Sequence, residues 1–231
     1  MTSKTSCEID EKDSDCCCSN GNNRVNYKLH WDTVYANNPV SKLGWYEKES
    51  TPILQLIKKS NINKNDSIFV VGAGSTTLID NLLQDNYTNI TANDISKKGL
   101  ETLKNRLGDK AEAITWIVDN LVTPTSLNSM AKIKFWIDRA VLHFFTKDKD
   151  QDTYFKLLKE KVAKNGFVIL AEFNLSGATK CSGLEVKRYD TKMLSSKLGH
   201  NFNLLKTFNY VYTMPNGDKR NYVYTLFKRI A

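Results

Sequence analysis

The sequence predicts an α/β fold: a doubly wound, mostly parallel sheet that ends in an antiparallel hairpin. Three observations carry that reading. Short apolar runs alternate with amphipathic stretches from about residue 50 to residue 173, the pattern of strand–helix repeats that build a parallel sheet. A glycine turn, Gly72-Ala73-Gly74, follows the first strong apolar run. Pro215-Asn216-Gly217-Asp218 separates two β-rich segments, 202–213 and 220–229, and Asn-Gly in such a place is a strong hairpin signal.

The elements follow in order. Ser50-Thr51-Pro52 opens a helix whose apolar face is Ile53, Leu54, Leu56 and Ile57; proline fits the first turn, where its missing N–H has no partner to lose. Ser67 to Val71 is short and apolar enough for a buried strand. Residues 76–84 read as a helix through Ile79, Leu82 and Leu83, and 89–94 as the second strand. Ser96 is a good N-cap for the next helix, which sets Leu100, Leu103 and Leu107 on one face. Strands are expected at 112–118, 133–138 and 166–173, the last after a helix near 150–163.

Composition bounds the rest. Of 231 residues, 41% are apolar, 10% aromatic and 25% charged, which excludes a wholly disordered chain. The longest apolar runs are far shorter than the roughly 20 residues that span a bilayer, and residues 1–25 show no apolar leader segment. A soluble, cytoplasmic, monomeric protein is the expectation. Residues 1–25 read as a disordered acidic tail carrying Cys7 and Cys16-Cys17-Cys18, and 26–231 as one domain. An odd cysteine count without spaced pairs suggests neither a disulfide framework nor a metal site. The first 23 residues hold two lysines against five acids, so the remainder carries 31 basic and 20 acidic residues. Those lysines are scattered, with no arginine-rich run, so nucleic acid is not the expected partner.

Ligands of such sheets bind beyond the carboxyl ends of the strands. Three strand ends stand out. Gly72-Ala73-Gly74 lets the backbone approach a ligand. Asp94, 22 residues after Gly72, stands where a carboxylate accepts ribose hydroxyls, and Asp119 closes the third strand within reach of an adenine amino group. Together they suggest a nucleoside site. A dinucleotide fingerprint wants a third glycine where Thr77 stands, and too little chain follows the fifth strand for a separate substrate domain.

The terminal hairpin, the glycine turn, Asp94-Ile95-Ser96 and Asp119 resemble the class I methyltransferases that use S-adenosylmethionine. Residues 135–144, Phe-Trp-Ile-Asp-Arg-Ala-Val-Leu-His-Phe, add to the likeness. It covers residues 30 to 229 and implies a Rossmann-like, seven-stranded sheet. His30-Trp31-Asp32-Thr33-Val34-Tyr35 with Gly44-Trp45-Tyr46, Asp138 to Phe144, and Lys180-Cys181-Ser182-Gly183-Leu184 are similar to a bacterial-type branch of these enzymes. The opening is also similar to lysine methyltransferases acting on elongation factors. The resemblance implies cofactor contacts from Gly72, Ala73, Gly74, Asp94, Ile95, Asp119 and Asn120, with Trp31 and Tyr35 covering them. It places Trp45, Tyr46, Arg139 and His143 toward the acceptor, and makes His143, Arg139 and Asp138 the catalytic candidates. His143 lies four residues past Arg139, so on a helix the two would share a face. The acceptor is expected to be a small molecule methylated at a thiol or related heteroatom, or alternatively a protein lysine, with no metal required. One departure stands out: these families usually carry an acid two positions before the first glycine, and here it is Val70.

Overall fold

The computed structural model describes residues 25–231; the tail with Cys7 and Cys16-Cys17-Cys18 lies outside the described residues. Asn26 caps the first helix, α1 (Tyr27–Asn37), by accepting from Leu29 N at 3.0 Å. Then come α2 (Thr51–Ser60), β1 (Ile68–Val71), α3 (Leu78–Gln84), β2 (Ile90–Asp94), α4 (Lys97–Leu107), β3 (Ile114–Val118) and β4 (Ile133–Arg139). The chain continues through α5 (Asp148–Lys161), β5 (Val162–Phe173), the small ribbon β6 (Lys180–Cys181) and β7 (Leu184–Glu185), α6 (Thr191–Leu198), β8 (Phe202–Thr213) and β9 (Lys219–Arg229).

Seven strands form one sheet in the order β3-β2-β1-β4-β5-β9-β8. The pairs from β3 to β5 are parallel; β9 joins β5, and β8 joins β9, antiparallel. This is the expected mostly parallel, seven-stranded, Rossmann-like sheet with its C-terminal hairpin. Strand order reverses direction between β1 and β4, so a crevice opens there beyond the strand ends.

Side-chain alternation splits the core in two. Ile68 and Val70 of β1 face α2, α3 and α4 through Ile53, Leu82 and Leu103. Phe69 and Val71 face α5 and α6 through Tyr154, Leu158 and Leu194. Each fully buried side chain of this kind contributes roughly 1.5–3 kcal/mol, which fixes the register and hence the alignment of the strand ends. Val71 pairs with Asp138, and Asp94 with Val118. No described helix is long and apolar enough to cross a membrane.

The structure corrects one geometric expectation. β4 runs through Arg139, and Ala140 then turns the chain at φ 66°, a left-handed conformation uncommon outside glycine and asparagine. His143 follows in a single tight turn, Leu142–Phe144. Arg139 and His143 therefore share no helix, and the backbone turn sends them to different places.

Candidate active site

The site begins with the turn after β1. Gly72 and Gly74 have φ of 55° and 44°. A Cβ on Gly72 would stand 2.1 Å from Val141 Cγ2, and one on Gly74 1.9 Å from Tyr35 Oη. Only glycine fits either place. Ala73 N donates to Asn93 O at 2.7 Å, which ties the turn to the end of β2. Arg106 of α4 reaches back to clamp it: Nη1 donates to Ser75 O at 2.8 Å, Nη2 to Thr76 O, and the guanidinium pairs with Asp80.

Asp94 stands at the end of β2, buried and facing Gly74, with Oδ1 accepting from Ser96 N at 2.7 Å. Burial pushes its pKa up to about 7, against the pull of backbone donors. The neighbouring Asn93 donates its amide to Ile117 O and Asp119 O, and its Oδ1 is buried without a donor. Asp32, from the opening motif, accepts from Ser96 Oγ at 2.7 Å and Lys98 N at 3.2 Å. That bond docks α1 across the start of α4, and Tyr35 on the same helix covers Gly74 and Gly99.

Asp119 is placed as expected but differently employed. Asn120 N and Thr125 Oγ1 donate to Oδ1, while Thr125 N and Leu127 N donate to Oδ2. A carboxylate has about four lone-pair positions, and all are taken. Burial alone would raise its pKa, but these donors outweigh it and hold the carboxyl below its ordinary value. The carboxylate therefore shapes the 119–127 loop, with no acceptor position left for a ligand.

A groove runs over these strand ends. Of the sequence candidates, Trp31, Tyr35, Trp45, Gly72, Asp94, Ile95, Asp119, Asn120 and Arg139 line it. It is also walled by Tyr27, Asn93, Leu121, Val122, Ala140, Val141, Phe144, Phe145 and Cys181, none of them candidates from the sequence. Trp31 packs edge-on against Phe144 at 5.0 Å and Trp45 at 5.6 Å, and Tyr35 against Trp45 at 5.9 Å, centroid to centroid. The Trp and Tyr residues of the opening motif supply most of this wall, and Phe144, from the 135–144 stretch, completes it. Burial pushes the Cys181 thiol up to about 11, so it stays protonated.

Five candidates do not line the groove: Ala73, Gly74 beneath Tyr35, Tyr46, Asp138 and His143. Tyr46 lines a neighbouring cavity, together with Ala73. Asp138 is fully buried, accepting from Tyr154 Oη at 2.6 Å and from Val141 N and Leu142 N, so it pins the turn after β4. His143 is fully buried between Phe144 and Phe173, with its backbone N–H donating to Glu172 Oε2. Burial, aided by the Arg139 charge, lowers its pKa to about 3. The imidazole, with Nδ1 3.2 Å from Glu172 Oε2, is neutral at physiological pH and does not line the groove, contrary to an acceptor-facing base. Arg139 lines the groove but is already engaged: it donates to Trp45 O, Tyr224 Oη and Glu47 Oε1, and its guanidinium lies over Tyr212 and Tyr222. It is no free clamp for an acceptor carboxylate. Among the described residues no group of three or more His, Cys, Asp or Glu is placed to hold a metal ion.

These residues fit a nucleoside cofactor. A buried carboxylate beside a glycine turn, next to an acceptor oxygen without a donor, supplies what a ribose and a base require.

No family model and no curated protein matches the chain. Solved structures do. One is a methyltransferase from Anabaena variabilis that depends on S-adenosylmethionine, 12% identical, with a TM-score of 0.71 over 88% of this chain and 93% of that one. A second was solved in work on the conversion of a disulfide bond into a thioacetal group during echinomycin biosynthesis: 13% identity, TM-score 0.68, again 88% and 93%. A third is the N-methyltransferase NodS from Bradyrhizobium japonicum in complex with S-adenosylhomocysteine: 11% identity, TM-score 0.62, 89% and 99%. The chain has the class I methyltransferase fold.

Proposed function

We propose, from the premise of a class I methyltransferase fold, that the protein transfers a methyl group from S-adenosylmethionine to a small molecule at a soft heteroatom, sulfur foremost. The observation that carries the cofactor is Asp94: a buried carboxylate that lines the crevice beside a glycine turn. When bound, the cofactor supplies a methyl already activated on a sulfonium, so no metal is needed. Asp94 accepts the ribose hydroxyls, and Asn93 Oδ1 offers the acceptor that Asp119 no longer provides. Trp31, Tyr35, Trp45 and Phe144 exclude water and present ring faces suited to a cationic centre. The protein's work is alignment rather than proton removal.

The lining itself favours a soft acceptor. A general base works best with a pKa near the operating pH. Cys181 stays protonated, His143 lies outside the groove, Asp119 is held by its loop, and Asp94, whose pKa is about 7, is committed to the ribose in this reading. An acceptor that offers its own anion or lone pair near neutral pH, as a thiol does, needs none of them. Neighbours of this fold include an N-methyltransferase and a protein connected with thioacetal formation, which supports small molecules as a class.

The test is labelled-methyl transfer, run in parallel on a metabolite extract and on dialysed protein from the same cells. Label entering the small-molecule fraction, and more with added thiols, is the expected outcome. Label confined to the dialysed protein would replace this reading with lysine methylation.

A further inference from the structure

The groove has two unlike halves. Asp94, Ile95, Asn120 and Leu121 wall the half at the ends of β2 and β3, where the reading above puts the nucleoside. The half beyond β4 is walled by Tyr27 and Trp31 of α1, by Val141, Phe144 and Phe145 of the turn after β4, and by Cys181 of the β6–β7 ribbon. Aromatic rings dominate it. Trp31 meets Phe144 edge-on at 5.0 Å, and Tyr27 Oη donates to Phe144 O at 3.3 Å, so α1 and the turn close on each other.

Charge in this groove is committed. Among the described residues, the charged side chains that line it are Asp94, Asp119 and Arg139. Asp119 accepts from its own loop, Arg139 donates to Trp45 O, Tyr224 Oη and Glu47 Oε1, and Asp94 takes the ribose in the proposed reading. Arg220, whose charge reaches Cys181, does not line the groove and stands 4.0 Å from Asp218. A carboxylate or ammonium on the acceptor would lose its hydration there without gaining a partner. Apolar surface gains by the same transfer, and an aromatic ring gains further from ring–ring contact.

This half also offers no base, since His143 lies outside the groove and the Cys181 thiol keeps its proton. The acceptor has to ionise unaided. The thiolate, not the thiol, attacks, and a sulfur on an aromatic ring ionises far more readily than one on an alkyl chain, because the ring delocalises the anion.

We infer that the acceptor is an aromatic thiol carrying no other charge, its ring held among Trp31, Phe144 and Phe145. The inference rests on the proposed methyl transfer to sulfur and narrows it to one class. The thiol proton passes to water, and a bond forms from the thiolate sulfur to the methyl carbon. The bond from that carbon to the sulfonium breaks, its electron pair staying on the cofactor sulfur. The products are an aryl methyl thioether, S-adenosylhomocysteine and a proton.

Initial rates at saturating S-adenosylmethionine and pH 7 test it, with 4-methylbenzenethiol, 4-mercaptobenzoate, 4-(aminomethyl)benzenethiol and 4-methylcyclohexanethiol. The first three differ in charge at similar size, and the last removes the aromatic ring and its acidity. kcat/KM for 4-methylbenzenethiol should exceed each of the others at least tenfold. For 4-methylcyclohexanethiol it should rise about tenfold per pH unit from 7 to 9, since solvent alone sets the ionised fraction. Phe145→Ala should raise KM for 4-methylbenzenethiol at least threefold and leave S-adenosylhomocysteine affinity within twofold; should it fail to fold, the substrate series decides alone. Equal or faster turnover of either charged thiol, or of 4-methylcyclohexanethiol at pH 7, would overturn the inference while methyl transfer to sulfur stood. Protein that binds S-adenosylhomocysteine but methylates none of the four would remove the sulfur acceptor itself, and this inference with it.

Discussion

Asp94 sits where water reaches it poorly, and burial brings its pKa up to about 7. In the proposed reading ribose hydroxyls donate to the ionised carboxylate, so binding favours loss of that proton. Affinity for S-adenosylhomocysteine is therefore full above about pH 7 and weakens as pH falls through it, by up to tenfold per unit. Titrations at pH 6, 7 and 8 should show this slope, and Asp94→Asn should bind more weakly with the slope gone. A flat profile in the wild type would detach Asp94 from the ligand. The place of Asp94 was legible because it closes a strand. His143 was not, because its expected place assumed helical geometry after Arg139, and the positive φ of Ala140 carries no sequence mark. Asp119 shows the same limit: its place was legible, but the four donors that occupy it come from a loop whose path no periodicity reveals. Glu47 escaped notice although it directly follows Gly44-Trp45-Tyr46, since an acid alone announces nothing until Arg139 is seen beside it.

Among the elements, α4 both buries its leucine face and holds the ligand turn. Arg106 donates to two carbonyls of that turn, and each such bond contributes about 0.5–1.5 kcal/mol. Arg106→Met should loosen the turn and raise Kd three- to tenfold for S-adenosylhomocysteine and 5′-methylthioadenosine alike. Unchanged Kd for both would make the clamp decorative. All seven strands of the main sheet were legible, β1 to β5 from apolar runs and the hairpin from Asn216-Gly217. β5 nevertheless starts at Val162, because α5 passes into it without a loop. The helices α1 and α6 were not read as such. α1 buries only Tyr35 and lacks a clear apolar stripe, while α6 is eight residues long and signalled mainly by its Asp190 cap.

For the whole molecule, the sheet order puts β1 and β4 side by side, and everything proposed for function lies beyond their carboxyl ends. Structures only 11–13% identical share this fold, so it is carried by the pattern of apolar runs and turns rather than by particular side chains. That is why the architecture could be read from the sequence, while the acceptor could not. The central claim is that the crevice is a site for S-adenosylmethionine. Competition calorimetry on the full chain tests it most directly, with S-adenosylmethionine, S-adenosylhomocysteine and a nicotinamide dinucleotide. The expected result is one site per chain for the first two ligands, each displacing the other, and at least tenfold weaker binding of the dinucleotide. Tighter binding of the dinucleotide, or no binding of either sulfur nucleoside, would contradict the account.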